Sequence, residues 1–304
     1  MNKNRHHVSV LIKEVLDFLK IKKSGIYFDG TLGGGGHALA ILKQCQKSYI
    51  RCQIVGVDLD EEAIEYAKKR LENYKKSMIF VKGNFRDIDL ILAKKGIKKI
   101  NGALLDLGVS SIQLDQSKRG FTFKEEVEAP LDMRMNKSQE FNAADILNQY
   151  SKELLVKIFF EYGEERFSRK IAKKIVEKRR EKPIQTNKDL LEILRETIPN
   201  KIRKKRRRHF ATNIFRALRM EVNHELESLQ GFLPKVVEPL DKKGRIVIIS
   251  FHSLEDRIVK HFFKNKEKTG QLKILTKKPI IASEEEIKKN PRSRSAKLRA
   301  AEII

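Results

Sequence analysis

Apolar and polar positions alternate along the first 106 residues in blocks that switch between strand and helix periods. Val8 to Leu19 places its apolar residues at helical spacing and predicts an entry helix. The run Ile26-Tyr-Phe28 predicts a first strand, a glycine-rich loop follows, and Ala38 to Leu42 is compatible with a helix. Gln53 to Asp58 predicts a second strand. Asp60 then caps a helix from Glu61 to Tyr74, with Ile64, Ala67 and Leu71 on one face. Met78 to Lys82, a crossover helix over Ile88 to Lys95, and Gly102 to Asp106 complete the series. Strands alternating with helices at this spacing predict a parallel, doubly wound sheet.

The pattern changes after Gly108. The stretch to Met135 reads as a long loop, which is usually functional when ordered. From Asn142 to about Asn200 the periodicity is helical throughout. Ser151 caps Lys152 to Phe160, Phe167, Ile171 and Ile175 line another helix, and Thr186-x-x-Asp189 is a capping box. One amphipathic helix is expected over Ala211 to Leu229. The chain then returns to a buried strand at Arg245 to Ser250. Leu272 to Leu275 and Lys297 to Ile303 predict a closing hairpin, with a polar, mobile stretch over Ser283 to Ser295 between them. The expected organisation is a sheet domain over 1–135 and 213–304, with an all-helical domain inserted over 136–212.

Chemistry enters at the first strand-to-helix loop, Phe28-Asp-Gly-Thr-Leu-Gly-Gly-Gly-Gly-His37. Glycines permit a sharp turn and close approach of a ligand to the backbone. Gly33-x-Gly35-x-x-Ala38 fits a nucleoside-binding fingerprint. The absence of a Lys-Ser/Thr pair after the glycines argues against a phosphate-gripping loop. Asp29, Asp58 and Asp106 each end a strand, and Asp58 follows the glycines by roughly the 20 residues at which an acid holds ribose hydroxyls. Three carboxylates at one crevice suit a ligand with positive charge better than a pyrophosphate. S-adenosylmethionine, with a sulfonium, an ammonium and a ribose diol, fits better than NAD. Phe85, after the third strand, can stack on an adenine or pack in the core.

The chain has 304 residues, with 65 Lys and Arg against 40 Asp and Glu, a formal charge of +25. An excess of this size points to a polyanionic partner. Lys201 to His209 is the densest basic run, and Lys204 to Arg208 are the expected phosphate contacts. Two cysteines, Cys45 and Cys52, indicate neither a disulfide framework nor a zinc site, so no metal is expected and a reducing cytoplasm fits. No apolar stretch is long enough to span a membrane.

Motifs across nearly the whole chain resemble the ribosomal RNA small subunit methyltransferase H family. They include Asp29-Gly-Thr with Gly35-Gly-His37, Leu104 to Ser111, Gln113-Leu-Asp115, Arg119-Gly-Phe-x-Phe123 and Pro130 to Met135. Tyr162 to Phe167, Ile249 to Val259 and the Asn290-Pro-Arg-x-Arg-Ser295 tail complete them. Gly34 stands where the family often has Arg. The resemblance implies a Rossmann-like, class I methyltransferase fold with an inserted helical domain. It implies methyl transfer from S-adenosylmethionine to the exocyclic N4 of a decoding-region cytidine in 16S ribosomal RNA. Its donor-binding positions fall on Gly35, Gly36, His37, Asp58, Phe85, Asp106 and Gln113, the last on resemblance alone. Asp106 is the expected catalytic residue, orienting the donor and accepting from the target amino group, and Phe121 and Phe123 are candidates for holding the unstacked target base. His252, Glu255 and Asp256 are candidates for lining the acceptor pocket or for capping a helix. A homodimer, a NAD-dependent oxidoreductase and a basic ribosome-assembly factor with a vestigial nucleoside pocket stay open at this point.

Overall fold

The computed structural model describes residues 9–110, 113, 119–123, 126–206 and 208–304. His6, His7, Leu114, Asp115 and Arg207 lie outside the described residues. The chain divides into two compact units, one of residues 1–111 and 226–304 and one of 112–225.

The first unit is built on one eight-stranded sheet. Its strands are β1 (Gly25–Asp29), β2 (Cys52–Asp58), β3 (Met78–Lys82), β4 (Ile100–Asp106), β5 (Leu240–Ser250), β6 (Leu272–Ile274), β7 (Ile280–Ile281) and β8 (Lys297–Ile303). Their order is β3-β2-β1-β4-β5-β8-β6, with β7 also paired to β8. β1 to β5 run parallel and β8 is antiparallel to β5. The expected doubly wound, Rossmann-like sheet is therefore present, closed by an antiparallel edge.

Strand side chains alternate between two apolar layers, as a sheet covered on both faces requires. Tyr27, Leu104, Val247 and Ile249 pack with the Ile12–Leu19 and Gly36–Lys47 helices. Phe28, Leu105, Ile246 and Ile248 pack with residues of the Ile88–Lys94, Glu225–Val236 and Ser253–Lys268 helices. The chain order reverses between β1 and β4. In an open parallel sheet that reversal opens a ligand crevice at the strands' carboxyl ends.

The second unit is helical, with helices at Ala143–Gln149, Lys152–Glu161, Ser168–Glu181, Asn187–Thr197, Asn200–Lys205 and Thr212–Asn223. Its limits are wider than the expected 136–212. Residues 129–135 are sewn to later helices: Ala129 N–H donates to Asn187 Oδ1 at 2.9 Å, Leu131 N–H to the Gln185 carbonyl, and Met135 N–H to Asn223 Oδ1 at 2.7 Å.

Other sequence expectations need correction. The Ala211–Leu229 helix is two helices, broken where His224 takes a left-handed φ of 48°. Ser283 to Ser295 is ordered: Ser283 caps a helix over Glu284–Lys289, Ser293 is buried, and Glu286 Oε1 accepts the Leu11 N–H at 2.8 Å. Cys45 and Cys52 form a disulfide. The chain folds back between them, with Ile50 N–H donating to the Cys45 carbonyl, and the Cα atoms come to 6.3 Å, within bridging distance. No described helix is long and apolar enough to cross a membrane.

Candidate active site

In register, Asp29 lies beside Gly56 of β2 and Leu104 of β4, and each of those strands runs two residues further to its own aspartate. The three acids selected from sequence thus end three adjacent strands at the switch point. Backbone bonds lock these ends together. Gly30 N–H donates to the Leu104 carbonyl, Leu32 N–H to the Val57 carbonyl and Gly83 N–H to the Asp58 carbonyl. Thr31, given no role from sequence, accepts the Asp106 N–H on its hydroxyl at 2.6 Å.

The glycine loop turns through two left-handed residues, Gly33 at φ 48° and Gly35 at φ 72°. A Cβ at Gly35 would also press on Leu71, so glycine answers both demands there. Asp58 holds this loop from below. Its Oδ2 accepts the Gly33 N–H at 2.7 Å and its Oδ1 accepts the Asp60 N–H at 2.9 Å. Gly36 and His37 form the first turn of the following helix, with Gly35 as its N-cap.

His37 is buried, and its Nε2 stands 3.3 Å from Asp106 Oδ2. Sequence reasoning placed both residues at the site but not this pairing. Burial works against a charged imidazole, yet the contact with Asp106 and the charge of Asp29 outweigh it, and the His37 pKa is raised. Asp29 is 2% exposed. Burial pushes its carboxyl up to about 7, although His37 and the Thr31 N–H both favour the ionised form. Burial likewise pushes Asp58 up to about 6, against the hydrogen bonds from Asp60 and Gly33.

Several polar atoms here have no partner among the described residues: Asp29 Oδ2, Asp106 Oδ1 and His37 Nδ1 are buried without a hydrogen bond from them. An unmet buried acceptor is costly, so the cluster fits a ligand that brings donors or positive charge. A pyrophosphate would add negative charge to three carboxylates.

Phe85 is half-buried. Its ring meets Phe232 edge to face at 5.6 Å, and Phe232 stacks on Phe28 at 6.2 Å. Phe85 is thus packed against the core while remaining partly exposed. Gln113 is buried in the second unit.

The remaining candidates divide. His252 caps the Ser253–Lys268 helix, and Glu255 accepts the Phe251 N–H at 2.9 Å. Asp256 is paired with Arg299 at 2.6 Å. These three therefore have structural work at the end of β5. In the second unit Phe121 is buried beneath Arg119, and Phe123 stacks on His209 at 4.8 Å, so neither ring stands free for a base. Arg206 turns inward and chelates the fully buried Glu165 at 2.8 and 2.9 Å. Lys204, Lys205 and Arg208 stay exposed. A basic run in sequence does not reveal which of its members an interior carboxylate has claimed.

The model of the MraW methylase family matches residues 4–304. A protein of Thermotoga neapolitana is 48% identical over 307 residues, covering 100% of this chain and 98% of that protein. One of Kosmotoga olearia is 47% identical, covering 99% and 98%, and one of Clostridium botulinum is 48% identical, covering 98% and 99%. Each of the three is named ribosomal RNA small subunit methyltransferase H.

Proposed function

The chain belongs to the MraW methylase family, and we infer that it transfers the methyl group of S-adenosylmethionine to the exocyclic N4 of a decoding-region cytidine in 16S ribosomal RNA. The acceptor is the small ribosomal subunit, and the compartment is the cytoplasm, where that subunit is assembled. One observation carries the reading of the site. Three strand-end carboxylates meet beside His37, and two of their oxygens lack partners among the described residues, an arrangement that suits cationic groups.

The donor supplies an electrophilic methyl group on a sulfonium that is already a good leaving group. The protein's work is therefore positioning and exclusion of water. Gly35 and Gly36 let the backbone approach the ligand. Asp58, fixed by its bonds to Gly33 and Asp60, retains lone pairs for the ribose hydroxyls. Phe85 offers a ring anchored by Phe232 to the adenine. Asp29 and Asp106 complement the positive groups. Cytosine N4 is a poor nucleophile because its lone pair is delocalised into the ring. Asp106, its N–H held by Thr31 and one oxygen near His37, accepts an N4 hydrogen and turns that lone pair toward the methyl. The base must leave its stack to reach this point.

The reading is tested in cells. Small-subunit RNA from strains with and without the gene is digested, and its nucleosides are mapped by mass spectrometry. Loss of N4-methylcytidine from one decoding-region fragment supports the reading. An unchanged fragment contradicts it.

A further inference from the structure

We propose that the sheet unit carries a second RNA contact, a phosphodiester-binding pocket between the Ser253–Lys268 helix and the β6–β8 edge. The inference rests on the reading of the chain as a ribosomal RNA methyltransferase.

The pocket has a volume of about 290 Å³. Lys260, Phe263, Lys264 and Glu267 line it from the helix, at spacings of three and four that bring them to one face. Ile274 and Lys277 line it from β6 and the segment after it. Buried Phe263 and partly buried Ile274 give it an apolar floor, and exposed Lys260, Lys264 and Lys277 ring it.

The charges there are unbalanced. Residues 257–278 hold Arg257, Lys260, Lys264, Lys266, Lys268, Lys273, Lys277 and Lys278 against the single acid Glu267. Glu267 is engaged, since its Oε1 accepts the Ile274 N–H at 2.9 Å. Asp256 is engaged too, in its two bonds to Arg299 at 2.6 and 3.2 Å. Lys260, Lys264 and Lys277 have no ion pair or hydrogen bond among the described residues. Lys260 and Lys264 repel each other at i,i+4, an arrangement that weakens a helix unless an outside anion answers it.

A phosphodiester matches this set. It needs several cations at one point, with an apolar floor beneath the sugar. The Asp256–Arg299 pair then serves as scaffold, tying the helix to β8 and fixing the spacing of the three lysines. β6 is three strands from β4, roughly 15 Å at about 4.8 Å per strand. The pocket therefore takes RNA flanking the target, not the reacting base.

The test compares wild type with Lys260→Gln/Lys264→Gln/Lys277→Gln and with the corresponding triple Glu variant. Methyl transfer is measured on naked 16S RNA and on 30S particles across a salt series. Donor binding and circular dichroism control for folding. The expected result for the Gln variant is a KM for RNA raised at least tenfold, with kcat and donor affinity within twofold of wild type. Its salt dependence should be shallower by about 2 log units per log unit of salt, from ~0.7 for each lost single-strand contact. The Glu variant should be weaker still. Unchanged KM and salt slope would overturn the proposal. So would a defect confined to assembled particles, which would indicate a ribosomal protein as partner. If wild type methylates no RNA at all, the underlying reading has failed instead, and this pocket with it.

Discussion

Replacing Asp29 by asparagine removes a buried charge while keeping the side chain's shape, and it should make the donor-free protein more stable. Asp29 is 2% exposed and its carboxyl is pushed from 3.8 up to about 7, chiefly by burial. A raised carboxylate pKa contributes stability that is full below 3.8 and is lost as pH rises through about 7. Each pH unit across that interval is worth about 1.4 kcal/mol, so the ionised group costs the folded state about 4 kcal/mol at pH 8. Asparagine carries no such cost. Its amide leaves the Oδ2 position without a partner, but so does the protonated acid, and at low pH the two forms are nearly equivalent. Asp29→Asn should therefore match wild type near pH 4 and exceed it by about 2–4 kcal/mol at pH 8. Urea unfolding of both proteins at pH 4, 6 and 8 without donor measures this, and differences between the two cancel the titration of the groups not coupled to Asp29, leaving that of Asp29 with its neighbours His37, Asp58 and Asp106. A difference independent of pH, or a less stable variant at pH 8, would refute the reasoning. The same change should weaken donor binding, a trade of function against stability common at binding sites.

Three further outcomes follow from the site and its support. Asp106→Asn should fold normally and lose roughly 10²-fold or more in turnover, about 3 kcal/mol of transition-state stabilisation; single-turnover transfer checks it, and wild-type rates would exclude the role. Because Asp29 and Asp58 are raised to about 7 and about 6, a cationic donor must release protons on binding below those values. Its affinity should climb with pH to about 7 and then level off, and calorimetry at pH 6 in two buffers of different ionisation heat should detect the protons. In the helical unit, Arg206→Met strands Glu165, which is fully buried and whose pKa Arg206 helps hold below the usual range against burial. The expected cost at pH 7 is about 3–5 kcal/mol. It should shrink as pH falls through the depressed Glu165 pKa, and Glu165→Gln added to the same protein should recover much of it; an equal cost at all pH values would count against the pair.

The parallel sheet was legible because its strands carry short apolar runs, three of the five strands ending in an aspartate, and the crossover helices carry a 3.6-residue stripe. The cluster of acids was legible for the same reason: Asp29, Asp58 and Asp106 sit at strand ends, where chain order alone brings them together. What stayed hidden depends on burial and long-range pairing. Nothing local marks His224 as left-handed, and it divides one apolar stripe into two helices. The limits of the helical unit rest on bonds between residues about 60 and 90 apart in sequence, such as Ala129 with Asn187 and Met133 with Asn223. Phe121 and Arg206 look like surface chemistry in sequence, and each is spent inside the helical unit. The His37–Asp106 pair joins a helix start to a strand 69 residues later, and its residues were found only separately. Cys45 and Cys52 met because the connection between them folds back on itself.

The central claim is tested most directly by incubating the purified protein with labelled S-adenosylmethionine and three acceptors. These are 30S particles from a strain lacking the enzyme, naked 16S RNA and tRNA. The account predicts label in small-subunit RNA, recovered as N4-methylcytidine, and none in tRNA. Label in any other nucleoside, or none in the RNA while the donor binds, would contradict it.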